Sequence, residues 1–280
     1  MSALREVSQG LLTSRPGLLL RVLPPGLYAG RARMLLARSA LASRSVWLAL
    51  VSGFFEPLFY LTAMGHGLGS LVGTVGGPAG QLSYPAFIAP GLLAASAMNG
   101  AVYDTTFDIF LKIKYMKLYD AVLATPLGPV DIALGEIGWA LVRSGTYSAG
   151  FLSIMLATGL IFSPWALLAL PAALFVAFAF ASLGIATSTF LRSWQDFDLV
   201  LLVVLPMFLF SATFFPLSVY PPALQDVVRA FPLYHAVTLL RALSTGAVDS
   251  STLGHLAYFM VMAAVGLVVA SRRLTRLLLR

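Results

Sequence analysis

Six stretches of this chain are apolar over a length that matches a lipid bilayer, and this pattern constrains the fold more than any other feature. A spanning helix needs about 20 mostly apolar residues, because about 30 Å of hydrocarbon is crossed at 1.5 Å per residue. The stretches are 46–64 (VWLALVSGFFEPLFYLTAM), 85–106, 132–160, 166–190, 199–215 and 253–270. The fifth is the shortest, and Pro206 inside it predicts a kink. Composition agrees: 59% of the residues are apolar and 10% charged, against roughly 45–50% and 25% in soluble domains. The expected fold is all-α, a polytopic membrane protein with six transmembrane helices.

Orientation follows from the basic residues. With the N-terminus in the cytoplasm, 15 of the 18 lysines and arginines fall in cytoplasmic segments. Arg229 and Arg241 then face outward, and Arg143 lies within the membrane. The positive-inside rule therefore places both termini in the cytoplasm. Residues 1–45 read as a cytoplasmic tail with a helix over 26–45, which is either interfacial, its arginines at anionic headgroups, or plainly solvated. Pro16, Pro24 and Pro25 interrupt any continuous hydrophobic leader. Residues 46–272 form the transmembrane domain, with a cytoplasmic loop over 107–131, and 273–280 form a basic cytoplasmic C-terminus.

The outer segments differ in kind. Between the first two spans, GHGLGSLVGTVGGPAGQLSYP is uncharged and glycine-rich, and it lacks the GxGxxG spacing of a nucleotide loop. Between spans five and six, PPALQDVVRAF and PLYHAVTLLRALS are each too short to span and are expected at the outer interface or as a re-entrant pair. The chain has no cysteine, and its three histidines lack ligand spacing, so no metal site is expected. Neither a GxSxG nor a GxxxxGK[ST] motif occurs, so ATP-driven work would need nucleotide bound by another chain. A net charge of +7 confined to membrane-flanking segments argues for topology, not nucleic acid.

Ionisable residues within spans are functional or paired. Glu56 and Arg143 fall at similar depth and predict an inter-helix ion pair, with Glu136 two turns from Arg143 on the same face. Asp104, Asp108 and Lys112 recur at four-residue spacing, which supports a helix continuing out of the membrane. Asn99 and the aromatics Phe208, Phe210 and Phe214 are candidates to line a path for cargo. A membrane-embedded lipid-modifying enzyme is a competing class, but it needs paired carboxylates at one depth, and Glu56 and Glu136 are separated. A proton-coupled carrier using Glu56 is another.

The loop and the outer segment together resemble a known family. YDAVLATPLGPVDIALGEI, PMFLFSATFFPLSVYPPALQDVVRAFPLYHAVTLLRAL, FFEPLFYL and YPAFIAPGLLAASAMNGA resemble type-2 ABC exporter permeases, in particular the NodJ branch and the related daunorubicin-resistance permeases. The likeness runs from about Val46 to the C-terminus; one departure is Ser211-Ala212-Thr213, where many relatives read Ser-Gly-Val. The resemblance implies a half-transporter: a second permease, identical or homologous, and two copies of a separate ATPase that binds ATP and Mg. It implies export of a glycolipid, lipo-oligosaccharide or hydrophobic drug from a bacterial plasma membrane. It also implies that a short helix within 116–125 couples to the ATPase. Lys114 and Lys117 suit an acidic rim, and Met116, Tyr119, Asp120, Val122, Leu123, Thr125 and Pro126 complete the expected contact, with Tyr119, Val122 and Leu123 as an apolar plug.

Overall fold

A computed structural model describes residues 31–43, 47–77 and 80–278 of the chain; the expected tail over 1–25 lies outside them. Helix α1 (Ala32–Ser43) is followed by α2 (Trp47–Gly67) and the single turn α3 (Gly69–Val72). The glycine-rich segment between the first two apolar stretches forms an antiparallel hairpin of β1 (Thr74–Gly77) and β2 (Gly80–Ser83), with Thr74 opposite Ser83. Helix α4 (Tyr84–Tyr103) continues through a π-helical turn (Asp104–Asp108) into α5 (Ile109–Lys114), and α6 (Leu118–Leu123) follows. Next come α7 (Pro129–Ala157), a 3-10 turn (Pro164–Leu168) leading into α8 (Ala169–Ser188), and α9 (Phe197–Phe210). The chain closes with α10 (Pro222–Ala230), α11 (Pro232–Thr245) and α12 (Ser250–Leu278).

Helix α4 is the axis of the bundle. Its alanine-rich sequence presents little bulk in any direction, so α2, α7, α8 and α11 all pack on it and bury it almost completely. Gly91 is the tightest point on its outer half, since a Cβ there would meet the Thr213 backbone carbonyl at 3.2 Å. Among the described residues, three helical stretches are long and apolar enough to cross a membrane: Tyr84–Lys114, Pro164–Ser188 and Ser250–Leu277. Helix α7 exceeds them in charge, because it carries Asp131, Glu136 and Arg143.

The fifth apolar stretch departs from expectation. Instead of a kinked helix through residue 215, α9 stops at Phe210, and Ala212 adopts a left-handed φ of 57°. Fourteen residues span only about 21 Å, short of the hydrocarbon thickness. Backbone that leaves helical geometry inside a bundle needs other partners. Arg241 supplies one: its Nη2 donates to the Ala212 carbonyl at 2.9 Å and its Nε to the Phe87 carbonyl at 3.2 Å. The guanidinium also sits 3.9 Å from the centre of the Phe87 ring. Sequence reading placed Arg241 on the outer surface; it is 5% exposed and ties α11 to α4 and to the end of α9.

The molecule is polarised. At one end lie α1, the 104–128 segment, the turn after α8 and the last turns of α12. Arg31 N–H donates to Asp131 at 2.8 Å there, and Arg273 sits 4.1 Å from the Phe190 ring centre. The hairpin, the α7–α8 connection and the α11–α12 connection lie at the other end, where Phe162 N–H donates to the Ser244 carbonyl at 3.0 Å.

Candidate functional site

Two linked regions carry the polar chemistry. The first is a cavity of about 140 Å³ between α2, α4, α7 and α9, lined by Glu56, Tyr60, Asn99, Tyr103, Asp104, Arg143, Tyr147 and Phe208, among others. It forms because Gly100 of α4 lets α7 come close: a Cβ at that position would meet Ser144 Oγ at 3.1 Å and the Tyr147 ring at 3.4 Å.

Glu56 and Arg143 do line one cavity, yet the ion pair joins other residues. Arg143 Nη1 meets Asp104 at 2.8 Å and Asp108 at 3.9 Å, and Nη2 donates to the Tyr147 hydroxyl at 3.4 Å. Asp104 and Asp108 are therefore not merely helix-stabilising surface charges. The physical cause is the π-helical turn. Thr105 Oγ1 donates to the Ala101 carbonyl at 2.6 Å, and Thr106 Oγ1 donates to the Val102 carbonyl. Such hydroxyls compete for the helix's own acceptors, and a π turn shifts the angular position of everything beyond it.

Glu136 is likewise paired, but not along its own helix. Its carboxylate receives Lys112 Nζ at 2.7 Å and the Tyr119 hydroxyl at 2.9 Å. Lys112 thus serves α7 and not Asp108 four residues back. Burial, and then the neighbouring Glu136 carboxylate, pushes the Tyr119 phenol well above its usual range, so it stays a donor.

These bonds build the second region, the 112–128 loop. Tyr119 is 0% exposed and Val122 is also buried, so neither is the surface plug expected of it. They fasten α6 to the bundle. The exposed part is Lys114, Tyr115, Met116, Lys117, Asp120, Thr125 and Pro126, with Leu123 half-buried. Lys117 reverses the chain in a left-handed conformation, φ 46°. Asp131 then sets the return into α7: its carboxylate accepts Gly128 N–H at 3.0 Å and Arg31 N–H at 2.8 Å, the helix-capping geometry.

The predicted path aromatics separate. Phe208 and Phe214 meet each other at 5.3 Å between ring centres, and Tyr60 at 5.5 and 6.2 Å. Tyr60 and Phe208 line the cavity with Asn99, and Phe214 packs on both rings. Phe210 instead points away, 42% exposed, against Tyr220. On the other side of α9, a larger apolar cavity of about 440 Å³ is lined by residues including Val102, Phe180, Val203 and Met207. Sequence reading missed Tyr115, Tyr147 and the contact of His235 Nδ1 with His255 Nδ1 at 2.8 Å. The last links α11 to α12 across 20 residues. Among the described residues, no group of three or more His, Asp or Glu stands close enough to hold a metal ion.

A helical bundle with apolar long helices, a paired polar interior and a basic loop fastened at one end defines a membrane permease. The chain belongs to the ABC-2 type transporter family, whose profile matches residues 31–244. It is 33% identical over 247 residues to Nodulation protein J of Rhizobium leguminosarum bv. trifolii, covering 87% of this chain and 92% of that protein. It is 34% identical over 213 residues to Nodulation protein J of Rhizobium meliloti (strain 1021), covering 75% and 79%. The inner membrane transport permease YadH of Escherichia coli (strain K12) is 27% identical over 227 residues, covering 77% and 84%. The chain is thus a transport permease and not an enzyme in itself, and its family implies a partner ATPase.

Proposed function

We propose that this chain is half of the membrane portion of an ATP-driven exporter in a bacterial plasma membrane. Six segments cross the bilayer: α2, α4 with α5, α7, the 3-10 turn with α8, α9, and α12. Both termini are cytoplasmic, and α10 and α11 form a re-entrant pair that caps the outer end. A second permease, identical or homologous, completes the path. Two copies of a separate ATPase hold ATP and Mg beneath it. The cargo is amphipathic or lipid-like, in the range of a glycolipid, lipo-oligosaccharide or hydrophobic drug. Its transport follows from unequal binding to the inward- and outward-open states.

One observation carries this reading: the 114–117 tip is exposed while the helix behind it is bolted to α7 through Tyr119 and Glu136. A free loop would absorb a push; an anchored one transmits it. An aromatic cluster extends the path, since Phe107 and Phe110 pack on Phe197 at the start of α9 at 5.0 and 5.1 Å. Movement of α5 would therefore move α9, whose Phe208 lines the polar cavity.

Met116→Glu and Lys117→Glu test the contact without touching the anchor. Each is expected to weaken docking of the ATPase about tenfold or more, about 1.4 kcal/mol, and to abolish cargo-stimulated hydrolysis. Tyr119→Phe keeps the tip but removes the bond to Glu136, so it should assemble while coupling falls. Unchanged assembly and stimulation in both tip variants would remove this loop as the contact.

A further inference from the structure

We propose that the cavity walled by α2, α4, α7 and α9 receives an ammonium group carried by the cargo. This rests on the transport reading and adds what the cavity selects. A volume of about 140 Å³ is close to the ~150 Å³ that accommodates a benzene, so the site takes a group of that size and not a whole lipid.

Among the charged groups of the walls, acceptors outnumber donors. One Asp104 oxygen is taken by Arg143, while Oδ2 has no partner, although the side chain is only 10% exposed. Asn99 Oδ1 is also buried without a partner. Glu56, which lines the cavity while remaining exposed in the single chain, adds a second carboxylate with neither a hydrogen bond nor an ion pair to any described residue. Against these stands Arg143, already committed to Asp104 and Tyr147. Its Nε is buried without a partner, and the Tyr60, Tyr103 and Ser96 hydroxyls and the Asn99 amide add neutral donors to the lining.

Counted in formal charges, the lining has one negative in excess, two carboxylates against one guanidinium. Asp108, 3.9 Å from the same guanidinium, adds to it. In a low-dielectric setting an uncompensated charge is costly and calls for a counter-ion. The remaining walls favour an organic one. Tyr60, Tyr103, Tyr147 and Phe208 line the space, and aromatic rings attract an ammonium. A neutral polyol gains nothing from the excess carboxylate, and an anion would be repelled by it.

The full-length permease in lipid nanodiscs is titrated with four probes of similar size: cyclohexylammonium, cyclohexanol, myo-inositol and cyclohexanecarboxylate. Saturable binding of the amine is expected, about tenfold tighter than the alcohol. Glu56→Gln should cut that preference to about threefold or less while cyclohexanol affinity stays unchanged. Asn99→Leu, a second variant on another helix, should weaken amine binding about threefold. Equal binding of amine and alcohol, tighter binding of inositol or carboxylate, or a preference that survives Glu56→Gln would overturn the proposal. Survival in Glu56→Gln would mean that the excess charge holds a proton. ATP-dependent uptake of cargo into inverted vesicles reports the transport reading separately. Amine selectivity without uptake counts against transport alone, and uptake without amine selectivity counts against the ammonium site alone.

Discussion

Ala212 determines how α9 ends, and it does so in a conformation that a side chain disfavours. Its φ of 57° lies in the left-handed region, where an L-residue costs roughly 1–2 kcal/mol relative to its right-handed form. Glycine would adopt it freely, at the expense of more conformational entropy in the unfolded chain. Ala212→Gly is therefore expected to stabilise the protein by about 0.5–1 kcal/mol, seen as a higher melting temperature of the detergent-solubilised protein. A lower melting temperature would show that the conformation is not strained. The Ser211-Ala212-Thr213 departure was visible in the sequence, but not that the helix stops there. Nor was it legible that Arg241, 29 residues further on, would donate to the Ala212 carbonyl. A buried arginine is recognised by the carbonyls around it, and those come together only in the fold. Arg143 shows the same limit. Its burial was readable from its place in an apolar stretch, while its partner depended on the rotation of α4, which the turn at Asp104–Asp108 alters.

Helix α12 shows what an element discloses in advance. Its buried seam, Phe259, Ala263, Ala270 and Leu274, follows the helical period, and Gly266 occupies the missing step. At that step α12 touches backbone: a Cβ on Gly266 would lie 2.8 Å from Leu183 N and from the Ser182 carbonyl carbon. Backbone of a packed helix cannot rotate aside as a side chain can. Gly266→Val is expected to destabilise the bundle by about 1–3 kcal/mol or more, measured as a lower melting temperature and a reduced yield of folded permease. Gly254→Ala is the control, since nothing lies within 4 Å of its Cβ and alanine favours a helix. Equal loss in both variants would point to helix propensity instead of close approach. The seam was legible because period and residue size are properties of one helix. The anchoring of α6 was not, because Tyr119 faces inward only once Glu136 of α7 stands opposite it. An isolated segment gives no sign of which apolar residues form its root and which form its tip.

At the scale of the molecule, the question is how many helices cross. Among the described residues three stretches are apolar enough by composition, while the proposed topology has six. Helix α7 has 29 residues, about 43 Å, and runs against α4 from the cavity to the 112–128 loop. Each of its charges is satisfied: Asp131 caps the helix, Glu136 holds Lys112 and Tyr119, and Arg143 holds Asp104. Paired in this way, they no longer bar it from the membrane. The two topologies differ at two testable places, Leu167 and Trp194, the latter on the Gln81 side with three crossings. With three crossings, the chain stays on the Met116 side until Pro164, so Leu167 shares the exposure of Met116. With six, α7 carries the chain back, and Leu167 joins Gln81 and Val219 on the opposite face. The chain has no cysteine, so single replacements at Gln81, Met116, Leu167, Trp194 and Val219, all exposed, report without background. A membrane-impermeant maleimide applied to intact cells is expected to label Gln81→Cys, Leu167→Cys and Val219→Cys. Met116→Cys and Trp194→Cys should react only in inverted vesicles. Labelling of Leu167→Cys together with Met116→Cys would exclude α7 as a span, and with it the antiparallel arrangement that lets Asp104 reach Arg143 inside the bilayer.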